Sequence, residues 1–169
     1  AIIADDIDAG IAVGVEDMFG VPMGGFNPSF NPELYEKELY IGMGDTAEIL
    51  AKDLDISRED QEEFAISSHE KALLAIESGK FNNEIIPIDI NGITIDKDEG
   101  PRAPDVDKIK SLEPAFDSKG SITAATSSPI SVGAAAAVIM GKKKADELKI
   151  VPKFKILSRA VAGVDWARM

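Results

Sequence analysis

The chain has 169 residues, of which 44% are hydrophobic and 28% are charged, so it is long enough to fold around a core of its own. Its formal net charge of -12 argues against binding to nucleic acid or to an anionic membrane surface, because both require clustered positive charge. The chain has no cysteine, which excludes disulfides, thiolate metal sites and a nucleophilic thiol supplied by these residues. No apolar run approaches the roughly 20 residues of a membrane span, and acidic residues occupy the place of a signal peptide's basic flank.

The first predicted element is a strand. Residues 11–15 are rich in β-branched side chains and are typical of a strand in a parallel sheet. The chain enters this strand almost at once, has no initiating Met, and stops soon after another apolar run over residues 154–164 that also predicts a strand. Because domains usually begin and end in exposed residues, we expect a fragment of a longer chain. Residues 19–32 are rich in glycine and proline and predict an irregular segment.

Two helices are predicted next. Asp45 or Thr46 is expected to cap the first, which would run to Leu54. The second is expected to begin after Ser57, with acidic residues in its first turn, and to end at Gly79. Apolar and small residues recur in it at three- and four-residue steps. The predicted inner face consists of Phe64, Ala65, Ser68, Ala72, Leu73 and Ile76.

Further along the chain, Asn91-Gly92 separates two short apolar runs and predicts a β-hairpin with a type I′ turn. Pro87 favours an edge position for the first of its strands. Short helices are expected over residues 105–112 and 142–149. Residues 123–131 are small and hydroxyl-rich, which is typical of a loop that lets a ligand approach the backbone. The apolar run after Gly133 predicts a buried strand, although periodicity alone leaves a buried helix open.

Two possible catalytic or metal sites are set aside. His69 is the only histidine, and nothing near it in sequence offers a nucleophile to activate, so a structural or positioning role is favoured over base catalysis. The acidic residues between positions 98 and 107 do not have the spacing of an EF-hand, so no metal site is predicted. Positive charge does gather locally, where it could meet an anionic ligand. The residues are Arg102, Lys108, Lys110 and Lys119.

A series of motifs then resembles the thiolase family, in that family's order and over nearly the whole chain. The motifs include Gly14-Val15-Glu16-Asp17-Met18, Met43-Gly44-x-Thr46-Ala47-Glu48, Ser57-Arg58-Glu59-x-Gln61, Ser68-His69-x-Lys71-Ala72, Gly79-x-Phe81, Asp98-Glu99-x-x-Arg102, Pro114-Ala115-Phe116 and Gly120-x-x-Thr123-Ala124. The run from Thr123 to Ser127 looks closest to the 3-ketoacyl-CoA thiolases of fatty-acid oxidation. Ala125-Thr126 and Val132 depart from the Gly-Asn and Asp of many thiolases, which leaves the acyl-chain preference open.

The resemblance implies an α/β fold, part of a thiolase-type layered fold with an inserted helical loop domain. Residues 1–24 would end the N-terminal half, residues 25–118 would form the loop domain with its helices and hairpin, residues 119–150 would return to the N-terminal half, and residues 151–169 would start the C-terminal half. In thiolases a cysteine attacks the 3-ketoacyl-CoA to give an acyl-enzyme, a histidine and a second cysteine move protons, and CoA accepts the acyl group. These groups are expected upstream of Ala1 and downstream of Met169, so no catalytic residue is assigned in this chain, and the chain alone is expected to be inactive.

What the resemblance assigns to this chain is coenzyme A binding. Met43 should border the pantetheine channel, Arg102 should lie against the adenine and phosphates, and Phe116 should line the nucleotide site. Ala124 and Ser128 should contact pantetheine, and Lys108 stands where a serine often contacts CoA. Ordinary roles remain open for these residues, namely core packing for Met43 and Phe116 and a surface ion pair with Asp98 or Glu99 for Arg102.

The expected activity is therefore thiolytic cleavage of 3-ketoacyl-CoA or condensation of acetyl-CoA, with CoA as substrate and no cofactor. The expected partners are CoA and acyl-CoA, with no nucleic acid and no membrane. The intact enzyme is expected to be a homodimer or homotetramer, or else to take its catalytic cysteines from a partner chain, and to be cytoplasmic. One alternative is a non-catalytic CoA-binding or assembly subunit. A condensing enzyme such as a ketoacyl synthase fits less well, because it lacks the loop-domain signature of residues 56–72.

Overall fold

The computed structural model describes residues 1–168, which contain both helices and strands. The elements, in chain order, are β1 (Ala9–Asp17), α1 (Pro32–Glu36), α2 (Met43–Asp53), α3 (Arg58–Glu77), β2 (Ile88–Ile90), β3 (Ile93–Ile95), α4 (Val106–Lys110), β4 (Val132–Met140) and α5 (Lys142–Glu147). Single turns of 3-10 helix lie at Ile2–Ala4 and Trp166–Arg168. The chain divides into two compact units, one of residues 1–30 and 130–163 and one of residues 31–129 and 164–169.

The first unit is built on β1 and β4, which confirms that both apolar runs form strands, but the expected burial of the run after Gly133 was wrong within the described residues, where β4 is exposed along nearly its whole length. They pair along their whole length, from Ala9 opposite Met140 to Asp17 opposite Val132. The pairing is antiparallel, so the expectation of a parallel sheet was wrong for this pair of strands. An uninterrupted apolar run correctly indicated a strand in each case, but such a pattern does not encode the direction of the neighbouring strand.

The second unit contains α2 and α3, and both helices were predicted. The N-cap of α2 is Gly42, so the expectation that Asp45 or Thr46 caps it was wrong. Asp45 instead lies in the first turn, and the Thr46 hydroxyl donates to the Met43 carbonyl at 2.8 Å. Thr46 is 2% exposed, because its hydroxyl is satisfied within the helix and its methyl group can be buried.

Helix α3 is the longest element and begins as predicted. The Ser57 side chain accepts from the Asp60 main-chain N–H at 3.1 Å, and the Asp60 carboxylate accepts from the Ser57 N–H at 3.3 Å. This reciprocal pair is a capping box, which satisfies main-chain donors that a helix start leaves free. Gly79 follows the helix with φ 70°, a left-handed conformation that glycine adopts without a Cβ clash.

The predicted inner face of α3 was wrong at two positions. Phe64 is 78% exposed and Ser68 is also exposed, whereas Ala65, Ala72, Leu73 and Ile76 are half-buried. The helical period identified one stripe correctly, but the stripe is wider than the surface that the second unit covers. Phe64 and Ser68 instead line a cleft that is described below.

The hairpin β2–β3 is confirmed. Ile88 lies opposite Ile95 and Ile90 opposite Ile93, and the turn residues Asn91 and Gly92 have φ angles of 52° and 82°. Positive φ at both central positions is what a type I′ turn requires. The predicted helices near residues 105–112 and 142–149 are also present, as the shorter α4 and α5.

The strand predicted over residues 154–164 is absent, and this expectation was wrong. Residues 151–163 have neither helix nor strand, and Phe154, Leu157 and Val161 are 85% exposed or more. A strand is stabilised by a neighbour that pairs with its main chain, and within residues 1–168 no segment pairs with this run. In the same described range, no helix is long and apolar enough to cross a membrane.

The capping box gives a first testable prediction. In the full-length protein that carries this chain, we expect Ser57→Ala to lower the free energy of unfolding by about 1 kcal/mol, because the N-cap acceptor is lost. Urea unfolding followed by circular dichroism measures the change. Ser68→Ala is the matched control, since Ser68 is an exposed serine on the same helix whose hydroxyl makes no hydrogen bond within the described residues. Equal effects of the two substitutions would contradict the capping argument.

Candidate functional site

The segment that leads into the hydroxyl-rich loop is held by one carboxylate. Glu48 lies on α2, and its oxygens accept from the main-chain N–H of Ser121 at 3.1 and 2.9 Å and from that of Ile122 at 2.8 Å. The Ser121 hydroxyl lies 3.4 Å from the same carboxylate. Gly120 allows this approach, because a Cβ at that position would overlap the Glu48 carboxylate. We call this set of contacts the Glu48 clamp.

The loop after the clamp is stabilised by its own hydroxyl groups. Thr123 is fully buried, and its N–H donates to Thr126 Oγ1 at 2.9 Å. The Ala125 N–H donates to Thr123 Oγ1 at 3.2 Å, and the Ser127 hydroxyl donates to the Thr123 carbonyl at 2.8 Å. Short hydroxyl side chains satisfy nearby main-chain groups in this way when no regular structure does so. The loop therefore has a defined shape although it lies outside helices and strands.

Helix α3 contributes a second anchor through Gln61. Its side-chain amide donates to the Ser121 hydroxyl at 2.9 Å and to the Ile56 carbonyl at 3.3 Å. The Gln61 Oε1 atom is buried and has no hydrogen-bond partner among residues 1–168. Ser121 is thus contacted by Glu48 of α2 and by Gln61 of α3, so both helices fix the start of the loop.

The segment before the clamp pairs with the loop and supports an aromatic ring. The Ala115 N–H donates to the Ile122 carbonyl at 2.8 Å, and Pro114 forms an isolated bridge with Thr123. Phe116 follows and is 51% exposed. Its ring lies on Gly44, where any Cβ would overlap it. A glycine in the first turn of α2 therefore lets the ring lie directly against the helix backbone.

Arg58 forms an ion pair within α3 and connects that helix to the C-terminal end of α4. Arg58 Nε lies 2.7 Å from Glu62 Oε1, and the Glu62 side chain is 7% exposed. The Arg58 guanidinium also donates to the carbonyls of Leu112 at 2.5 Å and Lys110 at 3.4 Å. One arginine therefore neutralises a buried carboxylate and holds the C-terminal end of α4, where carbonyl groups lack helical partners.

A cleft of about 650 Å³ lies between α3 and the hydroxyl-rich loop. Phe64 and His69 line it from the helix, and Ala125, Ser128 and Pro129 line it from the loop. His69 Nδ1 accepts from the Arg102 N–H at 3.3 Å, so a neutral His69 with this bond carries its proton on Nε2. This contact agrees with the positioning role that the sequence favoured for His69.

Two of the six residues predicted to bind CoA lie at the start of α2, and a third lies in the loop that pairs with the segment before Phe116. Met43 is the first residue of that helix and is 62% exposed. Phe116 packs on the next residue, Gly44. Ala124 is exposed and directly follows Thr123, which bridges to Pro114. Met43 and Phe116 are therefore both exposed within the described residues.

Two further predicted residues lie at the cleft, and the sixth lies elsewhere. Ser128 is exposed and lines the cleft, and Arg102 is attached to it through His69. Among the described residues no carboxylate is within ion-pairing distance of Arg102, so the alternative of a pair with Asp98 or Glu99 is not realised. Lys108 lies on α4, where its main chain bonds to Asp105 and Ser111, and no hydrogen bond or ion pair of the described residues joins it to the other five.

The role of Glu48 was not predicted from the sequence. It appeared only as one letter of a motif, although it contacts residues more than 70 positions away. Gly120 was a local indication that another group approaches the main chain there. A glycine does not indicate which residue approaches, so Glu48 could not be identified from it.

The family model described as "Thiolase, N-terminal domain" matches residues 1–143. The chain belongs to the thiolase family. A 3-ketoacyl-CoA thiolase of Bacillus subtilis is 40% identical over 93% of this chain and 44% of its own length. An acetyl-CoA acetyltransferase of Syntrophomonas wolfei is 45% identical over 73% of this chain and 32% of its own length.

Solved structures of thiolases resemble the chain as well. The dimeric peroxisomal thiolase of Saccharomyces cerevisiae superposes with a TM-score of 0.77 at 37% identity, over 88% of this chain and 40% of that protein. The S. wolfei acetyl-CoA acetyltransferase structure gives 0.74 at 33% identity, over 89% and 42%. The predicted α/β fold class and thiolase resemblance are thereby confirmed. The chain spans less than half the length of the curated relatives it matches.

The ion pair of Arg58 and Glu62 gives a second prediction. We expect Arg58→Ala to lower the free energy of unfolding of the full-length protein by about 1.5 to 3 kcal/mol, because a buried carboxylate loses its charge-assisted partner. Denaturant unfolding measures this change.

Lys142→Ala is the matched control, since Lys142 and Asp146 form another i,i+4 pair at 2.6 Å with side chains that are 86% and 63% exposed. Its loss should cost about 0.5 kcal/mol or less. A similarly small effect of Arg58→Ala would mean that Glu62 does not depend on its partner.

Proposed function

We propose that this chain is part of an acyltransferase of the thiolase type, which cleaves 3-ketoacyl-CoA by thiolysis or condenses acetyl-CoA. The observation that carries the proposal is the match of residues 1–143 to the thiolase N-terminal domain, together with relatives named 3-ketoacyl-CoA thiolase at about 40% identity. The chain contains no cysteine, so the attacking thiolate would come from outside these 169 residues. A thiolate nucleophile divides a difficult acyl transfer into formation and breakdown of an acyl-enzyme.

Within that enzyme, these residues would bind coenzyme A. The exposed side chains of Met43 and Phe116 offer apolar surface at the start of α2, which suits the hydrocarbon parts of pantetheine and the face of a base. The main chain at Ala124 and the hydroxyl of Ser128 offer polar partners for pantetheine amides. The unpaired guanidinium of Arg102 suits a phosphate or an adenine ring, and Lys108 would add positive charge. No cofactor is needed for this chemistry, because CoA is itself a substrate.

The further properties follow from the same proposal. Residues 1–24 and 119–150 would belong to the N-terminal half of the thiolase core, residues 25–118 to the loop domain and residues 151–169 to the start of the C-terminal half. The intact protein would be a homo-oligomer, a dimer or a tetramer, and would act in the cytoplasm. The yeast relative of known structure is described as dimeric, which supports the expectation of a homo-oligomer.

A non-catalytic role is the second candidate, and it is as compatible with the absence of cysteine from these 169 residues as the first candidate is. In that case the chain would be a CoA-binding or assembly subunit whose partner carries the reactive thiols. The two candidates share the CoA site and differ in where the thiols are.

Three measurements on the full-length protein separate these candidates, namely its intact mass under denaturing conditions, its free-thiol count, and its thiolysis activity. For a thiolase we expect free thiols. We also expect CoA-dependent conversion of 3-ketoacyl-CoA to acetyl-CoA and a shortened acyl-CoA, which chromatography measures. A protein without thiols that binds CoA would be the accessory subunit, and mixing it with its thiol-bearing partner should restore thiolysis only if the two form a split enzyme. Failure to bind CoA would contradict both candidates.

The Arg102 assignment gives a third prediction. In the full-length protein we expect Arg102→Ala to weaken CoA binding by about 1.5 to 3 kcal/mol, or roughly 10- to 150-fold, because a charge-assisted phosphate contact is lost. Isothermal titration calorimetry measures the affinity. Arg159→Ala is the matched control, since Arg159 is also exposed and lies outside the candidate site. Unchanged CoA affinity in Arg102→Ala would show that the assignment is wrong.

A further inference from the structure

Glu48 is the point at which the hydroxyl-rich loop is attached to the helical part of the second unit. Its carboxylate accepts from two consecutive main-chain N–H groups, those of Ser121 and Ile122, at distances between 2.8 and 3.1 Å. Within the described residues Glu48 forms no ion pair, so these donors are what compensate its charge. Hydrogen bonds to an ionised acceptor are shorter and stronger than neutral ones.

The clamp is built for a glutamate in particular. A glutamine has one acceptor oxygen, and its amide group would direct donors towards main-chain donors. An aspartate is shorter by one methylene and would withdraw the carboxylate from the segment. Gly120 leaves no space for a bulkier arrangement, because even a Cβ there would meet the carboxylate.

The clamp also links the residues proposed to contact CoA. Met43 lies five positions before Glu48 on α2, and Phe116 packs on Gly44 of the same helix. Ser121 and Ile122 directly precede Thr123, whose side chain and main chain shape the loop that carries Ala124 and Ser128. A displacement of the clamp would therefore move Ala124 and Ser128 relative to Met43.

From these contacts we propose that Glu48 is a positioning residue for coenzyme A, which holds the pantetheine-contacting loop in register with the start of α2. The inference rests on the proposed function, because it assumes that the loop and α2 together contact CoA. Glu48 does not act on the reacting atoms. Its contribution is pre-organisation, since a loop already held in its binding geometry loses less conformational freedom when the ligand binds.

The test uses Glu48→Gln in the full-length protein. We expect CoA affinity, measured by isothermal titration calorimetry, to fall by about 10- to 100-fold, since small misplacements of binding groups have effects of this size. In thiolysis assays we expect the KM for CoA to rise with kcat nearly unchanged, because binding is lost without loss of a catalytic group. Glu63→Gln is the matched control, since Glu63 is an exposed glutamate of α3, and it should leave both quantities unchanged.

A second variant, together with a check that each variant folds, distinguishes a positioning role from a merely structural one. Glu48→Asp keeps the charge and should recover part of the affinity if the carboxylate holds the loop. If Glu48→Gln is folded and binds CoA like the wild type, the positioning role is wrong while the CoA site stands. If the wild type itself binds no CoA, the proposed function and the inference both fail. If neither Glu48 variant folds, Glu48 serves the fold as a whole and the positioning role is also wrong.

Discussion

The conformation of the second unit depends on side-chain acceptors for main-chain N–H groups that lie outside any sheet. Ser121 and Ile122 lie in a segment whose strand-like pairing, among the described residues, is limited to the isolated bridge between Pro114 and Thr123 and the adjoining bond from the Ala115 N–H to the Ile122 carbonyl. Buried main-chain donors without partners are costly, so a segment of this kind requires side-chain acceptors. Glu48 supplies them from α2, and Gln61 adds a contact to Ser121 from α3. The geometry of the candidate site follows from this arrangement.

Sequence patterns predicted those elements whose determinants are local. Helix α3 begins at Ser57 because serine and Asp60 cap each other within one turn, and the hairpin forms because Asn91-Gly92 accepts positive φ. The direction of the β1–β4 pairing and the absence of a strand near Phe154 depend on which distant segments are available to pair. No pattern within either stretch contains that information.

Single residues of the candidate site could be predicted from the sequence, but the contacts that join them could not. Family motifs pointed to Met43, Phe116 and Ser128 one at a time. What joins them is long-range, namely the carboxylate of Glu48 on the loop and the ring of Phe116 on Gly44. The start of α2 was misjudged because Asp45 and Thr46 are both good capping residues, whereas the observed cap, Gly42, offers no side chain and carries a weaker signal.

The β1–β4 pair carries apolar side chains that the described residues leave exposed. Ile11, Val13 and Val15 alternate along β1, and each is at least 69% exposed. In layered α/β folds, strands of this composition are covered on both faces. The length and lack of charge of the run after Gly133 correctly predicted a strand, whereas the burial expected of it is not realised within the described residues, where β1 and β4 are almost entirely exposed.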